Sequence, residues 1–235
     1  MSENRNDIVQ RRMDLLIGAF PTFVEFYEKN PPFTKYGQFE YHLKTIKQLR
    51  AAGSAINAIQ KDIFLKSLYE TLKAWGIGVR GSKLAPFSKF KETILDFQQQ
   101  IKELDGIVID KLGDNVSTIS RQLWRLIEGL DIVYNKAKVV ACTKTLHHIL
   151  PELVVPIDRQ YTQAFFSWNG PEFQYEQIKC FREAFQYFVH IAKSVSPQKY
   201  VGDGWNTSRT KIIDNAIVGL FVAIEEISNS SDRAG

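Results

Sequence analysis

Along nearly the whole chain, apolar residues recur at every third or fourth position, the period with which an α-helix buries one face. Ile8, Met13, Leu15, Leu16, Phe20, Phe23 and Phe26 form one such face, which Pro21 should kink or divide. Asn30-Pro31-Pro32 stops it. Phe39, Leu43, Ile46 and Leu49 predict a second helix, broken by Ala51-Ala52-Gly53-Ser54. Ile63, Phe64, Leu68, Leu72 and Trp75 predict a third, ended by Gly76 and Gly78. Phe87, Phe90, Ile94 and Phe97 start a fourth, and Ile119, Leu123, Leu126, Ile127 and Leu130 mark a fifth, capped near Asp114 or Ser117. Helices follow over Val139–Leu150, from about Asp158 to Trp168, and over Phe173–Ala192. A last helix carries Ile212 to Ile224 behind Thr207 or Ser208. Only Gly106–Ile109 and Leu153–Ile157 read as strand-like, and both are too short to build a sheet. The expected fold is all-α: one domain over 1–235, as two packed helical lobes, 1–105 and 115–235, with a cleft between them.

At 235 residues with 44% apolar side chains, the chain can bury a sizeable core. No apolar run approaches the roughly 20 residues of a membrane span, and Met1–Arg12 has no apolar segment of the secretory kind. The two cysteines, Cys142 and Cys180, lie in apolar helical contexts that suit buried thiols in a reducing compartment. A cytoplasmic protein, with a monomer favoured, is the expectation. The net charge of +4 is unevenly placed. Between Lys35 and Lys91, nine Lys and two Arg stand against Glu40, Asp62 and Glu70, a local excess of eight positive charges. Such a segment is suited to a polyanion, although lysines of this kind also serve as ordinary solvated helix faces.

The densest group of chemically useful residues is Thr143-Lys144-Thr145-Leu146-His147-His148-Ile149-Leu150-Pro151-Glu152-Leu153-Val154-Val155-Pro156-Ile157-Asp158-Arg159. It sets a lysine in a helix, then a proline-bounded turn, then an aspartate at the mouth of the next helix. This arrangement resembles the lysine and aspartate portion of the helix-hairpin-helix DNA glycosylase superfamily, over roughly Lys136 to Phe166. In place of the family's glycine-rich hairpin stands Tyr134–Cys142, without a glycine, so its amides are not expected to receive a phosphate in the usual way. The pattern around Trp75-Gly76, Leu146-His147-His148, Pro156-Ile157-Asp158-Arg159 and Tyr161-Thr162 is also similar to that of uncharacterised bacterial proteins. Some bacterial glycosylases remove modified cytosines from phage DNA, which makes antiviral defence a setting by analogy.

What the resemblance implies is excision of a damaged or modified base flipped from DNA, in repair or anti-phage defence, with Asp158 and Lys144 catalytic. A carboxylate can stabilise the oxocarbenium-like state at the sugar carbon, and an amine can attack that carbon. A flipped base needs an aromatic or apolar slot. Trp75, Tyr36, His42 and His147 are the residues expected to line it. Arg80, Lys83, Lys136, Lys138 and Arg159 are those expected to meet DNA phosphates. The bland alternatives are a helix cap for Asp158, a surface lysine for Lys144 and a core ring for Trp75. No metal site is expected, because His147 and His148 diverge on a helix and Cys142 and Cys180 have no ligand spacing. No dinucleotide, phosphate-loop or nucleophile-elbow motif is present, and no cofactor is expected. A non-catalytic helical nucleic-acid-binding module is the alternative function.

Overall fold

The computed structural model describes residues 4–78, 82–135 and 137–233, with side chains to residue 227. Among the described residues the chain is mostly helical, with almost no strand. The helices are α1 (Arg5–Gly18), α2 (Phe20–Lys29), α3 (Gln38–Ala52), α4 (Ala55–Ile59), α5 (Asp62–Ala74), α6 (Phe87–Asp96), α7 (Gln98–Leu104), α8 (Val116–Gly129), α9 (Val139–Ile149), α10 (Thr162–Phe165), α11 (Gly170–Tyr175), α12 (Gln177–Val195) and α13 (Arg209–Arg233). The two strand-like runs form no strand. Gly106 lies at a turn with φ +79°, Ile109 opens a 3-10 turn, and Leu153–Ile157 is a buried turn and loop whose first N–H groups, at Leu153 and Val154, donate to the Leu150 carbonyl. One isolated antiparallel bridge, Leu84 to Val133, is present.

Local chemistry sets most boundaries. Pro21 lies in the first turn of α2, where its missing N–H costs nothing, so the expected kink is a break at Ala19. Gly53 takes the left-handed conformation (φ +79°) that ends α3. Ser54 then caps α4, accepting the N–H of Asn57. The expected helix from Asp158 to Trp168 shrinks to α10, because Asp158 spends its side chain on a turn. The expected Phe173–Ala192 helix is cut at Glu176 into α11 and α12. The α8 helix starts after a 3-10 turn at Gly113–Asn115 and has no side-chain cap at its first residue.

The buried residues form one continuous core. Helices from the two ends of the chain pack together: α13 lies against α2, and α12 touches α1, α11 and α13 as well as α8 and the 3-10 turn at Ile109–Lys111. A second group is built from α3 to α8, with α3 against α5 and α4 against α7. The α9 helix is wedged into that second group, touching α3, α4, α5 and α8. Its last turn reaches the start of α13, where His147 Nδ1 lies 3.1 Å from the Thr210 hydroxyl. At the α2–α13 crossing the backbones nearly touch: a Cβ on Gly219 would come within 2.2 Å of the Phe23 carbonyl oxygen.

No helix among the described residues is long and apolar enough to cross a membrane. Both cysteines are buried free thiols, and burial pushes each up to about 12.

Candidate functional site

Where the end of α9 meets the start of α13, aromatic rings and polar groups form a buried cluster, a closely packed chamber wall rather than an open cavity. Helix α3 sends in His42, the end of α5 sends Trp75, and α9 sends Lys144, His147 and His148. From the far side come Tyr27 of α2, the loop Trp205-Asn206-Thr207, and Lys211, Asp214 and Asn215 of α13. His42, His147, His148, Lys211 and Asn215 are at most 1% exposed, whereas Trp75 and Lys144 are only partly buried and form the outer wall.

Four rings stand nearly parallel. His42 is centred 5.5 Å from Trp75, 5.6 Å from Trp205 and 6.0 Å from His147, at interplanar angles of 28°, 19° and 10°. His148 crosses them edge-on, 4.8 Å from Trp75 and 5.1 Å from His42.

The hydrogen bonds fix the tautomers. His148 Nδ1 sits 2.8 Å from the carbonyl of Lys144, which can only accept, so Nδ1 carries the proton. Its Nε2 then accepts from His42 Nδ1 at 3.0 Å, and His42 Nε2 accepts the Thr207 hydroxyl at 2.9 Å. His147 Nδ1 donates to the Val154 carbonyl at 2.9 Å. That leaves His147 Nε2 as a buried lone pair with no partner. Burial depresses all three histidines, and the mutual repulsion of His42, His147, His148 and Lys211 adds to it. His148 falls to about 4, and His42 and His147 fall well below the ordinary range. At neutral pH the three imidazoles are uncharged.

Lys211 is the cation of the chamber. Its Nζ lies 2.5 Å from Asp214 Oδ2 and over the rings of Trp205, Trp75 and Tyr27, at 5.1, 5.3 and 5.8 Å from their centroids. Burial raises the Asp214 carboxyl and the Asp158 charge raises it further, against the pull of Lys211. Asn206 donates to Glu28 at 2.5 Å and accepts from Asn215 at 2.8 Å, which orients both amides and leaves Asn215 Oδ1 without a partner.

Lys144 points across the outer wall. Its Nζ lies 5.6 Å from the centre of Trp75 and 3.4 Å from the Trp75 carbonyl. Burial lowers its pKa, and Lys211 lowers it further, while Asp158 and Asp214 pull it up without overcoming burial. Asp158 is held nearby through Thr143, whose hydroxyl accepts the N–H of Ile157 at 3.1 Å and so ties the Val155–Ile157 run to α9. Asp158 Oδ1 accepts the N–H groups of Gln160 and Tyr161 at 2.7 and 2.6 Å, the geometry of a helix-opening turn. The charges of Lys144 and Asp158 interact, but the two groups form no direct ion pair among the described residues.

Of the residues expected to line the site, Trp75, His42 and His147 meet in the chamber together with Lys144. Tyr36 does not. It sits in a tight turn with φ +64° and is 83% exposed, because the Tyr36-Gly37 turn directs it away from α3. Among the expected DNA contacts, Lys83 is exposed above the ring of Tyr134, and Arg159 is exposed. Lys138 is instead engaged internally, donating to Asp131 at 2.5 Å and to the Glu128 carbonyl at 3.1 Å. Arg80 and Lys136 lie outside the described residues. The glycine-free hairpin keeps its amides for the protein itself: Gln177 Oε1 accepts the N–H groups of Lys138 and Val139 at 2.8 and 3.0 Å.

Sequence reasoning did not place Lys211, His148, Trp205 or Thr207 in the site. A signal existed for Lys211, the one lysine within the buried run Thr210–Leu220. No cluster of His, Cys, Asp and Glu among the described residues is arranged to hold a metal ion. Comparison with known protein families, with curated proteins and with solved structures finds no match.

Proposed function

We propose that this protein is a DNA glycosylase-like enzyme that excises a damaged or modified base turned out of the duplex. The observation that carries the reading is the pairing at the chamber wall. An amine with a depressed pKa, Lys144, lies on the Trp75 indole and feels the Asp158 carboxylate, in front of a buried stack of rings. Depressed amines and fixed carboxylates at a cleft are what acid–base and nucleophilic chemistry require.

In this reading the two helix groups are lobes and their seam is the cleft. Asp158 stabilises the cationic state at the sugar carbon as the bond to the base breaks. Lys144 attacks that carbon through its uncharged amine. Trp75 stacks on the base, and His42 and His147 back it as neutral rings. Lys83 and Arg159, with Arg80 and Lys136, meet phosphates. The wall formed by Trp75 and Lys144 has to swing aside to admit a base. Repair and anti-phage defence are both settings in which such an activity serves.

A non-catalytic DNA-binding module is the second reading. It is favoured by Asp158 Oδ1 already accepting two backbone N–H groups and by Gln177 filling the hairpin amides. Base release from a panel of duplexes carrying damaged and modified bases, phage-type cytosines included, separates the two. The enzyme reading expects release by the wild type and none by Asp158→Asn at equal DNA affinity. A folded wild type inert on the whole panel, yet bound to DNA, leaves the module.

A further inference from the structure

We propose that His147 reads the edge of the base, given the reading that the ring cluster receives a base turned out of DNA. Its Nε2 is a fixed hydrogen-bond acceptor, so the site takes a base with an exocyclic amino group, of the adenine or cytosine kind, and rejects one with no N–H to give. His147 Nδ1 lies 2.9 Å from the Val154 carbonyl and 3.1 Å from the Thr210 hydroxyl oxygen. The carbonyl can only accept. Thr210 has one hydroxyl proton and donates it to the Pro151 carbonyl at 2.5 Å, so towards His147 it accepts as well. Both neighbours require the proton on Nδ1, and Nε2 is left bare.

That nitrogen is fully buried and has no partner among the described residues. Native proteins keep few buried acceptors without a donor, because each gives up its bond to water for nothing. The other ring nitrogens of the cluster are engaged: both of His42 and both of His148. His147 Nε2 is the exception, and its lone pair lies in the plane of the imidazole. That plane is within 10° of the His42 ring and 22° of the Trp75 indole, whose centres are 6.0 and 6.3 Å away. A base laid on Trp75 as the wall opens is therefore parallel to the His147 ring, the orientation in which an in-plane amino N–H can point along that lone pair. A carbonyl oxygen or bare ring nitrogen in the same place sets lone pair against lone pair. Sites built around one buried polar group reject the analogue that cannot satisfy it. Thr210 is then a positioning residue, acting on the base only through the tautomer of His147.

Two duplexes test this, identical except that one position carries either cytosine or 2-pyrimidinone, which lacks the amino group and any other N–H. Each faces an abasic analogue, so neither base is paired. The side-chain nitrogens of His147 are followed by long-range proton–nitrogen correlation and assigned by their loss in His147→Phe. The free protein should show the Nδ1–H form with Nε2 bare. Cytosine should shift Nε2 upfield, and 2-pyrimidinone should leave it in place. The wild type should bind the cytosine duplex about tenfold more tightly, the worth of one well-placed hydrogen bond. His147→Phe, which keeps a ring in the stack, should lose that preference, and Thr210→Val should mix in the Nε2–H form and narrow it. A proton on Nε2 in the free wild type overturns the proposal, whether or not the variants fold. So does an Nε2 that is hydrogen-bonded in the free protein and unchanged by either duplex, which means a buried water only. A shift with cytosine in a protein that releases no base keeps this site and removes the excision. Base release that ignores the amino group, in wild type and His147→Phe alike, keeps the enzyme and removes this proposal. A wild type that binds neither duplex removes both.

Discussion

At the scale of single residues, the site depends on side chains kept in unusual charge states, and pH is the natural probe. His42, His147 and His148 are neutral in the folded protein, whereas in the unfolded chain each takes up a proton near pH 6.5. Their folded pKa values are depressed, so the unfolded state binds more protons as pH falls below that point, and stability falls with it. Three such groups give a slope of at most about 4 kcal/mol per pH unit. Asp214 acts in the opposite sense, because its raised carboxyl takes up a proton more readily folded than unfolded. Urea midpoints measured from pH 7.5 to pH 5 should therefore drop, and a flat profile would mean that the histidines are not buried neutral. Asp158 can be separated into its two roles by substitution. Asp158→Ala loses the turn as well as the charge and should cost about 1 kcal/mol, roughly 2–4 °C in Tm for a chain this long. Asp158→Asn keeps an acceptor for Gln160 and Tyr161 and should melt near the wild type while losing base release.

At the scale of helices, the chamber's geometry follows from how closely α13 approaches α2. Gly219 permits that approach, since any Cβ there meets the Phe23 backbone. Gly219→Ala should push α13 off α2, lower stability by about 1–3 kcal/mol and loosen the box of Tyr27, Trp75 and Trp205 around Lys211. Gly18, at the end of α1, has open space around its Cβ position. Gly18→Ala should be neutral or stabilising by up to about 1 kcal/mol. Thermal melts of the pair check the account, and equal losses in both would contradict it.

How far the sequence was legible also divides at this scale. Amphipathic period located α1 to α3, α5, α6, α8, α9, α12 and α13, because each buries one face that its own residues define. It did not locate α4, a single buried turn started by Ser54, nor the break at Glu176, because neither has a period of its own. The run Lys144 to Asp158 could be singled out because both partners lie within one helix and its turn. Lys211, Trp205 and Thr207 come from a distant stretch that only tertiary packing brings to His42 and Trp75. Ser208, one of two expected caps of α13, does accept the N–H of Lys211, while Thr207 is diverted to His42.

At the scale of the whole molecule, the proposed DNA partner has a basic face to meet. Lys44, Lys47 and Lys66 are exposed on the outer face of α3 and α5, beside shallow hollows of about 440 and 510 Å³. They form no ion pair among the described residues, whereas Lys73, Lys89 and Lys91 are each paired. Duplex DNA binding should weaken steeply between roughly 50 and 200 mM salt as counterions are released. Reversing all three charges should flatten the log–log salt slope by roughly 2 to 3. An unchanged slope would place the DNA on another face of the protein.

The central claim is that the Lys144 amine and the Asp158 carboxylate work on the sugar of a flipped nucleotide. Borohydride trapping on a duplex with one abasic site addresses it most directly, because the identity of the excised base no longer matters. The Lys144 amine and the sugar aldehyde lose water to form an imine, and borohydride reduces it to a stable amine. The account predicts a covalent adduct that peptide mapping places on Lys144 and that Lys144→Gln abolishes without loss of folding. No adduct, or one mapped to an exposed lysine such as Lys44 or Lys47, would contradict it.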